Sequence, residues 1–488
     1  MATPIVLVSP PAATLFQFPP NSEPHAIPPP SYNTPFRIPD NLYVNALDPK
    51  VPITIAAVYA VTAKALNAYN KSTGKKPWAI SKTKTFHFLV VLHNVFLAVY
   101  SAWTWFGMLN TFRNSIVSPA GPNGWAGTVD SICKIHGTAG LENGISYNQA
   151  RGAWEPSLST GSSATVLSPS PDDRGRIWNE GLAFYGWIFY ISKFYEVIDT
   201  LIILAKGKYS STLQTYHHAG AMMAMWAGMR YMSTPIWIFV FFNSAIHALM
   251  YTYFTVTAFN VRVPQVIKRT LTSLQISQFI IGASVAIVHS FVSYLVPVQV
   301  EVAPAEATAV ASSISASASA TPSAGKFVDG LKKTLFGAAE AAGAAAVVSS
   351  SETNSTHQSA SYVTQYQKVD CITTNGATFA IWLNVIYLAP LTYLFVSFFI
   401  TSYLRRSKAE VVRAKANPDR RLSNVMLAEK ASWDAAKGLE REVYGESKEG
   451  AIIEDSDDSS SNGKLHPSSA ARADGVKSKA NGKAKGKK

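Results

Sequence analysis

Long apolar segments constrain this chain of 488 residues, of which 48% are hydrophobic and only 15% are charged. A helix needs about 20 residues to cross the hydrocarbon core of a bilayer. The sequence contains seven segments of about that length, so we predict an all-α integral membrane protein with seven transmembrane helices. The predicted spans lie at 51–69, 86–110, 181–204, 213–232, 236–258, 271–297 and 376–403.

The remaining segments are polar or of low complexity. Residues 1–45 contain several Pro-Pro steps, which predict a disordered lumenal arm without a cleavable signal peptide. The 111–180 loop is rich in Gly, Ser, Pro and Asn, and we expect it to be largely irregular. The predicted organisation is therefore the arm, helices 1–6 with the functional motifs over 46–297, a low-complexity lumenal insert over 298–375, helix 7 over 376–404, and a disordered charged cytosolic tail over 405–488.

Lysine and arginine are concentrated in alternate connections between the spans, namely 70–84, 206–208, 262–269 and 405–408. The positive-inside rule places such segments in the cytosol. We therefore expect a lumenal N-terminus and a cytosolic C-terminus. The formal net charge is +13, but we find no nucleic-acid-binding motif in the sequence, so no nucleic-acid partner is predicted.

The two cysteines, Cys133 and Cys371, both fall in predicted lumenal loops. Thiols can be oxidised there. We predict a disulfide between them, and two free thiols are the alternative. The sequon at Asn354 lies on the same predicted side and is weak evidence for that topology.

Polar side chains recur inside four consecutive spans, where one charge costs about 3 kcal/mol. Lys193, Glu196 and Asp199 follow one another at three-residue steps, which predicts one polar helical face. Polar groups in lipid must be satisfied within the protein, so four such faces favour a helical barrel with a polar centre. The other three stripes are Gln214, His217 and His218; Asn243, His247, Met250 and Tyr251, with Tyr253 close behind; and Thr272, Gln275 and Gln278.

Each stripe taken alone has a structural explanation, such as a buried ion pair, interhelical hydrogen bonds or packing. Their coincidence in four helices favours a functional site. A di-metal site would need many imidazoles, and of the ten histidines four lie outside the predicted spans: His25, His136, His357 and His466. Nucleophilic or acid–base chemistry of an imidazole is favoured, and we expect no metal and no cofactor.

These motifs resemble those of the ELO-type fatty-acid elongases, the membrane 3-ketoacyl-CoA synthases of the endoplasmic reticulum. Lys-x-x-Glu-x-x-Asp-Thr ends at Thr200, and the histidine box stands at His217 and His218. The Asn-x-x-x-His-x-x-Met-Tyr-x-Tyr and Thr-x-x-Gln-x-x-Gln motifs follow in order. The resemblance covers residues 50–404. Many members have a histidine where this chain has Gln214, and glutamine there is similar to the subgroup associated with polyunsaturated substrates.

The resemblance implies six helices around an acyl tunnel and a seventh outside it. It also implies that a long-chain acyl-CoA condenses with malonyl-CoA to 3-ketoacyl-CoA, carbon dioxide and CoA. In the glutamine subgroup, the acyl chain that the resemblance implies is polyunsaturated. This is the activity of a very-long-chain 3-oxoacyl-CoA synthase. The implied partners are these two substrates, membrane lipid, and the ketoreductase, dehydratase and enoyl reductase of the elongation cycle. A homodimer is left open.

Roles for the motif residues follow from this resemblance together with their chemistry. We expect His217 to be the nucleophile, and His218 and His247 to transfer protons or position substrate. Glu196, Asp199 and Asn243 would orient these imidazoles or stabilise charge. Lys193 would neutralise the carboxylates or meet the malonyl carboxylate or CoA.

Two glutamines, Gln275 and Gln278, would donate to a thioester oxygen. The other motif residues predicted to bind substrate are Thr200, Gln214, Met250, Tyr251, Tyr253 and Thr272. The main alternative is a non-enzymatic seven-helix receptor or transporter. A metal-dependent lipid oxygenase is a third class.

Overall fold

The computed structural model describes residues 6–20, 34–158, 170–261, 263–302, 347–348 and 361–400. The predicted tail, most of the predicted insert and Asn354 lie outside these ranges. The helices are α1 Asp40–Ala46, α2 Lys50–Ser72, α3 Lys84–Ser115, α4 Gly124–Cys133, α5 Ala183–Tyr195, α6 Val197–Ala205, α7 Thr212–Arg230, α8 Ile236–Ala258, α9 Gln265–Phe291 and α10 Asn375–Phe399. The strands are β1 Val6–Val8, β2 His136–Gly137, β3 Gly144–Asn148, β4 Ala153–Pro156, β5 Val292–Val302, β6 Val347–Val348 and β7 Ser361–Asp370.

The described part of the chain is mostly helical, and five of its helices are long and apolar enough to cross a membrane. These are α2, α3, α8, α9 and α10. The predicted spans at 181–204 and 213–232 are also helical, but they form the interior of the bundle. Most residues of α5 and α7 are buried by the surrounding helices. Their polar residues therefore face protein.

The predicted span at 181–204 is not one continuous helix, because it is interrupted at Glu196 between α5 and α6. The Glu196 N–H still bonds the carbonyl of Ser192, but the Asp199 N–H bonds Glu196 itself, three residues back. The three-residue steps were predicted from one continuous helix, and the structure interrupts that helix at Glu196. The side chains of Lys193, Glu196 and Asp199 are nevertheless all buried in the interior of the bundle.

The prediction of an all-α chain was also wrong, because the described residues include two antiparallel sheets. The sixth predicted span extends too far: α9 ends at Phe291, and the β-branched, alternating run after it forms β5, as such a pattern favours. β5 pairs with β7 from Ser293–Asp370 to Val302–Ser361, and with β1 on its other edge. Both ends of the predicted insert are thus ordered strands.

Two other segments predicted to lack structure are also ordered in part. The 111–180 loop contains α4 and the sheet β2–β3–β4. The N-terminal arm contributes β1 and α1. Tyr43 of α1 is fully buried, and its hydroxyl donates to the Ala183 carbonyl at 2.9 Å. A large aromatic anchor with a hydrogen-bond partner offsets the entropy of ordering this segment.

We call α4, the two sheets and the described connecting residues 134–158 and 170–176 the β-platform. It is linked covalently by a disulfide between Cys133 at the end of α4 and Cys371 after β7, with 4.8 Å between the Cα atoms. This is the pairing predicted from the sequence. It joins the connection after α3 to the start of α10.

The centre of the β-platform is the buried Arg176. Its guanidinium bonds the Asp130 carboxylate at 2.8 Å and also donates to the carbonyls of Thr138, Lys134 and Gly140. The Tyr294 hydroxyl donates to the other Asp130 oxygen at 2.6 Å. Every one of these contacts joins neighbouring elements of the β-platform, so the cluster is structural.

Burial also governs ionisation in the β-platform. Desolvation lowers the pKa of Lys134 to about 8, although its ammonium donates to the Asp370 carbonyl at 2.7 Å. Desolvation lowers the pKa of His136 to about 4, and its ring lies between Trp154 and Trp178. His136 is therefore neutral in the folded protein at neutral pH.

Candidate active site

Polar side chains from the bundle helices converge on the interior, and we call this group the polar chamber. Helices α3, α5, α6, α7, α8, α9 and α10 all contribute to it. Its members are His93, Lys193, Glu196, Asp199, Gln214, His217, His218, Asn243, His247, Tyr251, Gln278 and Tyr387.

The first part of the polar chamber is a buried ion pair with extensions to two helices. The Lys193 ammonium contacts the Glu196 carboxylate at 2.6 Å, and both side chains are almost fully buried. The same carboxylate oxygen lies 3.5 Å from Nδ1 of His247 on α8. Glu196 therefore sits where it can hold both the cation and an imidazole, as buried charges require.

Lys193 also extends this network towards α9. Its ammonium donates to Oδ1 of Asn243 at 3.1 Å, and Nδ2 of Asn243 donates to Oε1 of Gln278 at 3.2 Å. Asn243 was expected to orient an imidazole. In the structure it connects Lys193 to Gln278 instead.

The second part of the polar chamber surrounds Asp199. Nε2 of His93 lies 2.7 Å from one carboxylate oxygen, and the Tyr251 hydroxyl donates to the other at 2.5 Å. Asp199 was expected to serve the histidine box, but its imidazole partner is His93 on α3. The sequence reasoning missed His93, and the signal for it was a His-Asn pair inside an otherwise apolar predicted span.

The third part contains the histidine box at the start of α7. Gln214 donates from Nε2 to the Thr200 hydroxyl at 3.3 Å, and Thr200 also bonds Tyr59 at 2.9 Å. The His218 ring lies edge-on to Tyr59 with 6.1 Å between centroids. Gln214 and His218 thus face α2 and α6.

His217 faces a different side, where it meets Tyr387 of α10. Nδ1 of His217 lies 2.8 Å from the Tyr387 hydroxyl, and that hydroxyl lies 3.0 Å from the His217 carbonyl. A phenol has one proton and the His217 carbonyl can only accept, so both contacts are hydrogen bonds only when the hydroxyl donates to the carbonyl. In that arrangement the hydroxyl accepts from Nδ1–H, and the lone pair of the imidazole lies on Nε2.

Tyr387 was not among the predicted site residues. Asn384 lies three residues before it in the last span, but this one polar step was not recognised as a stripe.

A cavity of about 40 Å³ adjoins this imidazole. Four polar motif residues line it, namely Lys193, His217, Asn243 and Gln278, together with Asn384 and Tyr387 of α10. The rest of the wall is apolar, with Phe189, Phe242 and Phe279 among its residues. The arrangement places one imidazole, one cation and three amides at the side of a space suited to an apolar ligand.

The comparisons with known proteins point in one direction. The family model described as "ELO: GNS1/SUR4 family" matches residues 45–411. This chain belongs to the ELO family. The resemblance predicted from the motifs is confirmed.

Individual relatives match over shorter stretches. Human "Very long chain fatty acid elongase 3" is 35% identical over 109 residues, which are 22% of this chain and 40% of the relative. "Fatty acid elongase 2" of Trypanosoma brucei brucei is 31% identical over 123 residues, 25% of this chain and 45% of the relative. "Long chain fatty acid elongase 1" of Caenorhabditis elegans is 30% identical over 149 residues, 27% of this chain and 51% of the relative. The chain thus spans about half the length of these relatives, or less.

Not every residue of the ELO motifs reaches the cavity. Nε2 of Gln275 donates to the Met250 sulfur at 3.1 Å, and the Thr272 hydroxyl bonds the Lys268 carbonyl of its own helix. Tyr253 lies under the Lys268 ammonium with 5.6 Å to the ring centroid. The expected pair of oxyanion donors is therefore divided, since only Gln278 lines the cavity.

Metal chemistry was expected to be absent from this site. Among the described residues, no three His, Cys, Asp or Glu side chains are grouped as metal ligands. The assignment of no cofactor stays a prediction. The chemistry available from the residues themselves is nucleophilic and electrostatic.

Proposed function

We propose that this ELO-family protein is a condensing enzyme of fatty-acid elongation. It would convert an acyl-CoA and malonyl-CoA to 3-ketoacyl-CoA, carbon dioxide and CoA. The observation that carries the proposal is His217, whose Nδ1–H is held by Tyr387 while its Nε2 carries a lone pair at the wall of an apolar cavity.

In the first half-reaction, Nε2 of His217 attacks the thioester carbon of the acyl-CoA. A C–N bond forms and the C–S bond breaks, so CoA leaves as a thiolate and later takes a proton from water. The product is a cationic acyl-imidazolium, whose remaining N–H stays bonded to the Tyr387 hydroxyl. Covalent catalysis of this kind divides one difficult step into two easier ones.

In the second half-reaction, malonyl-CoA loses carbon dioxide and the electron pair of the broken C–C bond stays on the α-carbon. That carbon attacks the acyl group, a new C–C bond forms, and the C–N bond breaks. The electron pair returns to Nε2, so His217 is again neutral. Protons and charges balance without any oxidant or reductant.

The neighbouring groups supply electrostatic stabilisation. Lys193 lines the same cavity and offers a cation to the malonyl carboxylate or a thioester oxygen. Gln278 and Asn243 offer amide groups along the same wall, and such preorganised donors stabilise an oxyanion. Glu196 holds Lys193 and His247 in place, so it would act through them. His218 lies beside His217 with 5.4 Å between ring centroids and would serve in proton transfer.

We assign seven membrane segments to the protein. They are α5–α6, α7 and the five helices already identified. Six would surround the cavity and one would lie outside. Two basic connections support this topology by lying side by side: the Trp78 N–H bonds the Ala205 carbonyl at 2.9 Å, and Asn70 donates to the carbonyls of Leu204 and Lys208.

The protein would reside in the endoplasmic reticulum membrane, with its basic connections in the cytosol. The β-platform and the N-terminus would then be lumenal, where a disulfide is stable. The basic connections would attract the phosphates of CoA, which carry negative charge. The other enzymes of the elongation cycle would be its partners.

The substrates would be long-chain acyl-CoAs, in keeping with two relatives that are named as elongases of very-long-chain and long-chain fatty acids. Gln214 supports a polyunsaturated acyl chain, because the motif with glutamine at this position resembles that of the subgroup associated with such substrates. In the structure its amide is buried and bonded to Thr200. Its role would be to shape the wall beside the histidine box.

The test uses purified protein in detergent or vesicles, a panel of acyl-CoA primers, and malonyl-CoA with a labelled free carboxylate. We expect release of labelled carbon dioxide that depends on the primer, with formation of 3-ketoacyl-CoA. A folded, monodisperse sample with no release above the primer-free level would support a receptor or transporter instead.

A further inference from the structure

Asn384 of α10 is the third amide at the wall of the cavity beside His217, and it belongs to none of the four motifs. Its side chain is only 4% exposed. Its Oδ1 atom is buried and has no hydrogen-bond partner among the described residues. Buried side-chain amides are normally bonded, so an exception calls for an explanation. A ligand in the cavity would supply the partner that the protein does not.

The other two amides of this wall are engaged with the protein. Asn243 accepts from the Lys193 ammonium at 3.1 Å and donates from Nδ2 to Oε1 of Gln278 at 3.2 Å. Gln278 is therefore held at its oxygen end, and its Nε2 is the end that can donate to a ligand. Asn384 differs because its oxygen is not held. Its amide can turn towards a ligand without giving up a bond at that atom.

Asn384 stands one helical turn from the residue that holds the predicted nucleophile. Tyr387 follows it by three residues, and side chains at this spacing share a helical face, about 4.5 Å apart along the axis. The Tyr387 hydroxyl lies 2.8 Å from Nδ1 of His217. Asn384 and His217 also line the same narrow cavity of about 40 Å³. A group attached to Nε2 of His217 within that cavity would lie beside the Asn384 amide.

The proposed reaction develops negative charge at this place. When Nε2 of His217 adds to the thioester carbon, the carbonyl oxygen becomes an oxyanion, and the carbonyl is restored as the C–S bond breaks. The same oxygen is charged again when the malonyl-derived carbon adds to the acyl group. N–H donors that are already in position stabilise such an oxyanion, most of all where water is excluded.

We propose that Asn384 is a catalytic residue that donates from Nδ2 to the acyl carbonyl oxygen, together with Nε2 of Gln278. The two donors come from α10 and α9. In this pair Asn384 takes the place that the sequence predicted for Gln275, whose Nε2 donates to Met250 instead. The inference rests on the proposed function, since it concerns the chemistry of the same site.

The experiment compares Asn384→Ala with wild type in two measurements. One is primer-dependent carbon dioxide release, and the other is the single-turnover rate at which acyl-enzyme forms without malonyl-CoA. Loss of one oxyanion donor should lower both kcat and the acylation rate about 100-fold. KM for the acyl-CoA should change little, because the lost hydrogen bond strengthens only as the charge develops.

A structural role for Asn384 would give a different result. Its Oδ1 has no partner to lose among the described residues, so the melting temperature of Asn384→Ala should stay near that of wild type. Asn110→Ala, at an exposed position of α3, is the matched control and should keep kcat, KM and melting temperature. Asn384→Gln keeps an amide donor but moves it by one methylene, and it should recover part of the lost kcat.

The outcomes separate this inference from the proposed function. An inactive, folded wild type would overturn the function and this inference with it, whereas an active wild type with unchanged kcat in Asn384→Ala would overturn only the role of Asn384. A loss confined to KM would also contradict that role, since it would place the amide along the acyl chain. If Asn384→Ala does not fold, Asn384→Val also lacks the donor and provides the same comparison.

Discussion

The polar chamber and the β-platform both bury a cation beside a carboxylate, but they use different partners. In the β-platform, the Arg176 guanidinium donates mainly to backbone carbonyls, which remain in place whatever side chains are substituted. In the polar chamber, Lys193 donates to two side chains. Within the described residues, Nδ1 of His93 and Oε1 of Gln214 are buried there without a hydrogen-bond partner.

This difference separates structural from functional burial. A cation bonded to backbone carbonyls fixes the path of the chain. A cation bonded to side chains can exchange one of these partners for substrate. The contrast predicts that changes in the polar chamber affect activity most, and changes in the β-platform affect stability most.

The largest effect is expected for His217→Ala. We expect primer-dependent carbon dioxide release to fall about 10³-fold or more, since the nucleophile is lost. The melting temperature should change little. His87→Ala, at an exposed position of α3, is the matched control and should keep full activity. Full activity of His217→Ala would show that the polar chamber does not carry out the reaction.

Next in size is the effect of Arg176→Met on stability. Removing one member of a buried ion pair costs about 3 kcal/mol or more, because Asp130 is left uncompensated. Denaturant unfolding should show this loss, while activity per folded molecule stays near that of wild type. Arg151→Met removes an exposed arginine paired with Glu155 and should cost far less. Equal losses of stability in Arg176→Met and Arg151→Met would contradict the contrast between the two regions.

A smaller effect is expected from pH acting on His136. Its folded pKa of about 4 lies below the usual value, so the unfolded chain binds more protons between about pH 4 and pH 6.5. Stability should therefore fall as the pH is lowered through this window, by about 2 kcal/mol between pH 7 and pH 5. His136→Phe keeps a ring between the tryptophans and should lose this part of the slope. An unchanged slope would refute a neutral buried His136.

The smallest effect is expected for Tyr387→Phe. Loss of the bond that assigns the His217 tautomer should lower kcat about tenfold, the value of one hydrogen bond of about 1.4 kcal/mol. KM should change little, since the phenol positions the nucleophile. Tyr393→Phe, at an exposed position of α10, is the control. A larger change in KM than in kcat would instead place Tyr387 in substrate binding.

The sequence predicted the residues of the polar chamber well where several polar groups repeat in one apolar helix. Burial in lipid is so costly that a stripe such as Asn243 and His247 has few explanations. His93 was missed because it is the single residue that α3 contributes to the chamber, and Tyr387 because only Asn384 accompanies it in α10. Their roles depend on partners in other helices, which one sequence does not identify.

The fold was predicted less well outside the bundle. Apolar content alone made the run after Phe291 look like the end of a helix, although its alternation favours a strand. The polar composition of the arm gave no indication that Tyr43 is buried, because its burial depends on contacts with Ala183 and Trp187 of α5. The break at Glu196 was not predicted, because no Pro or Gly marks it in the sequence.

The most direct test of the account is to trap the acyl-enzyme. Purified protein is incubated with an acyl-CoA in the absence of malonyl-CoA, and its peptides are analysed by mass spectrometry. The account predicts one acyl group on His217, lost on addition of malonyl-CoA as 3-ketoacyl-CoA appears, and absent in His217→Ala. An acyl group on another residue, or condensation without any adduct, would contradict it.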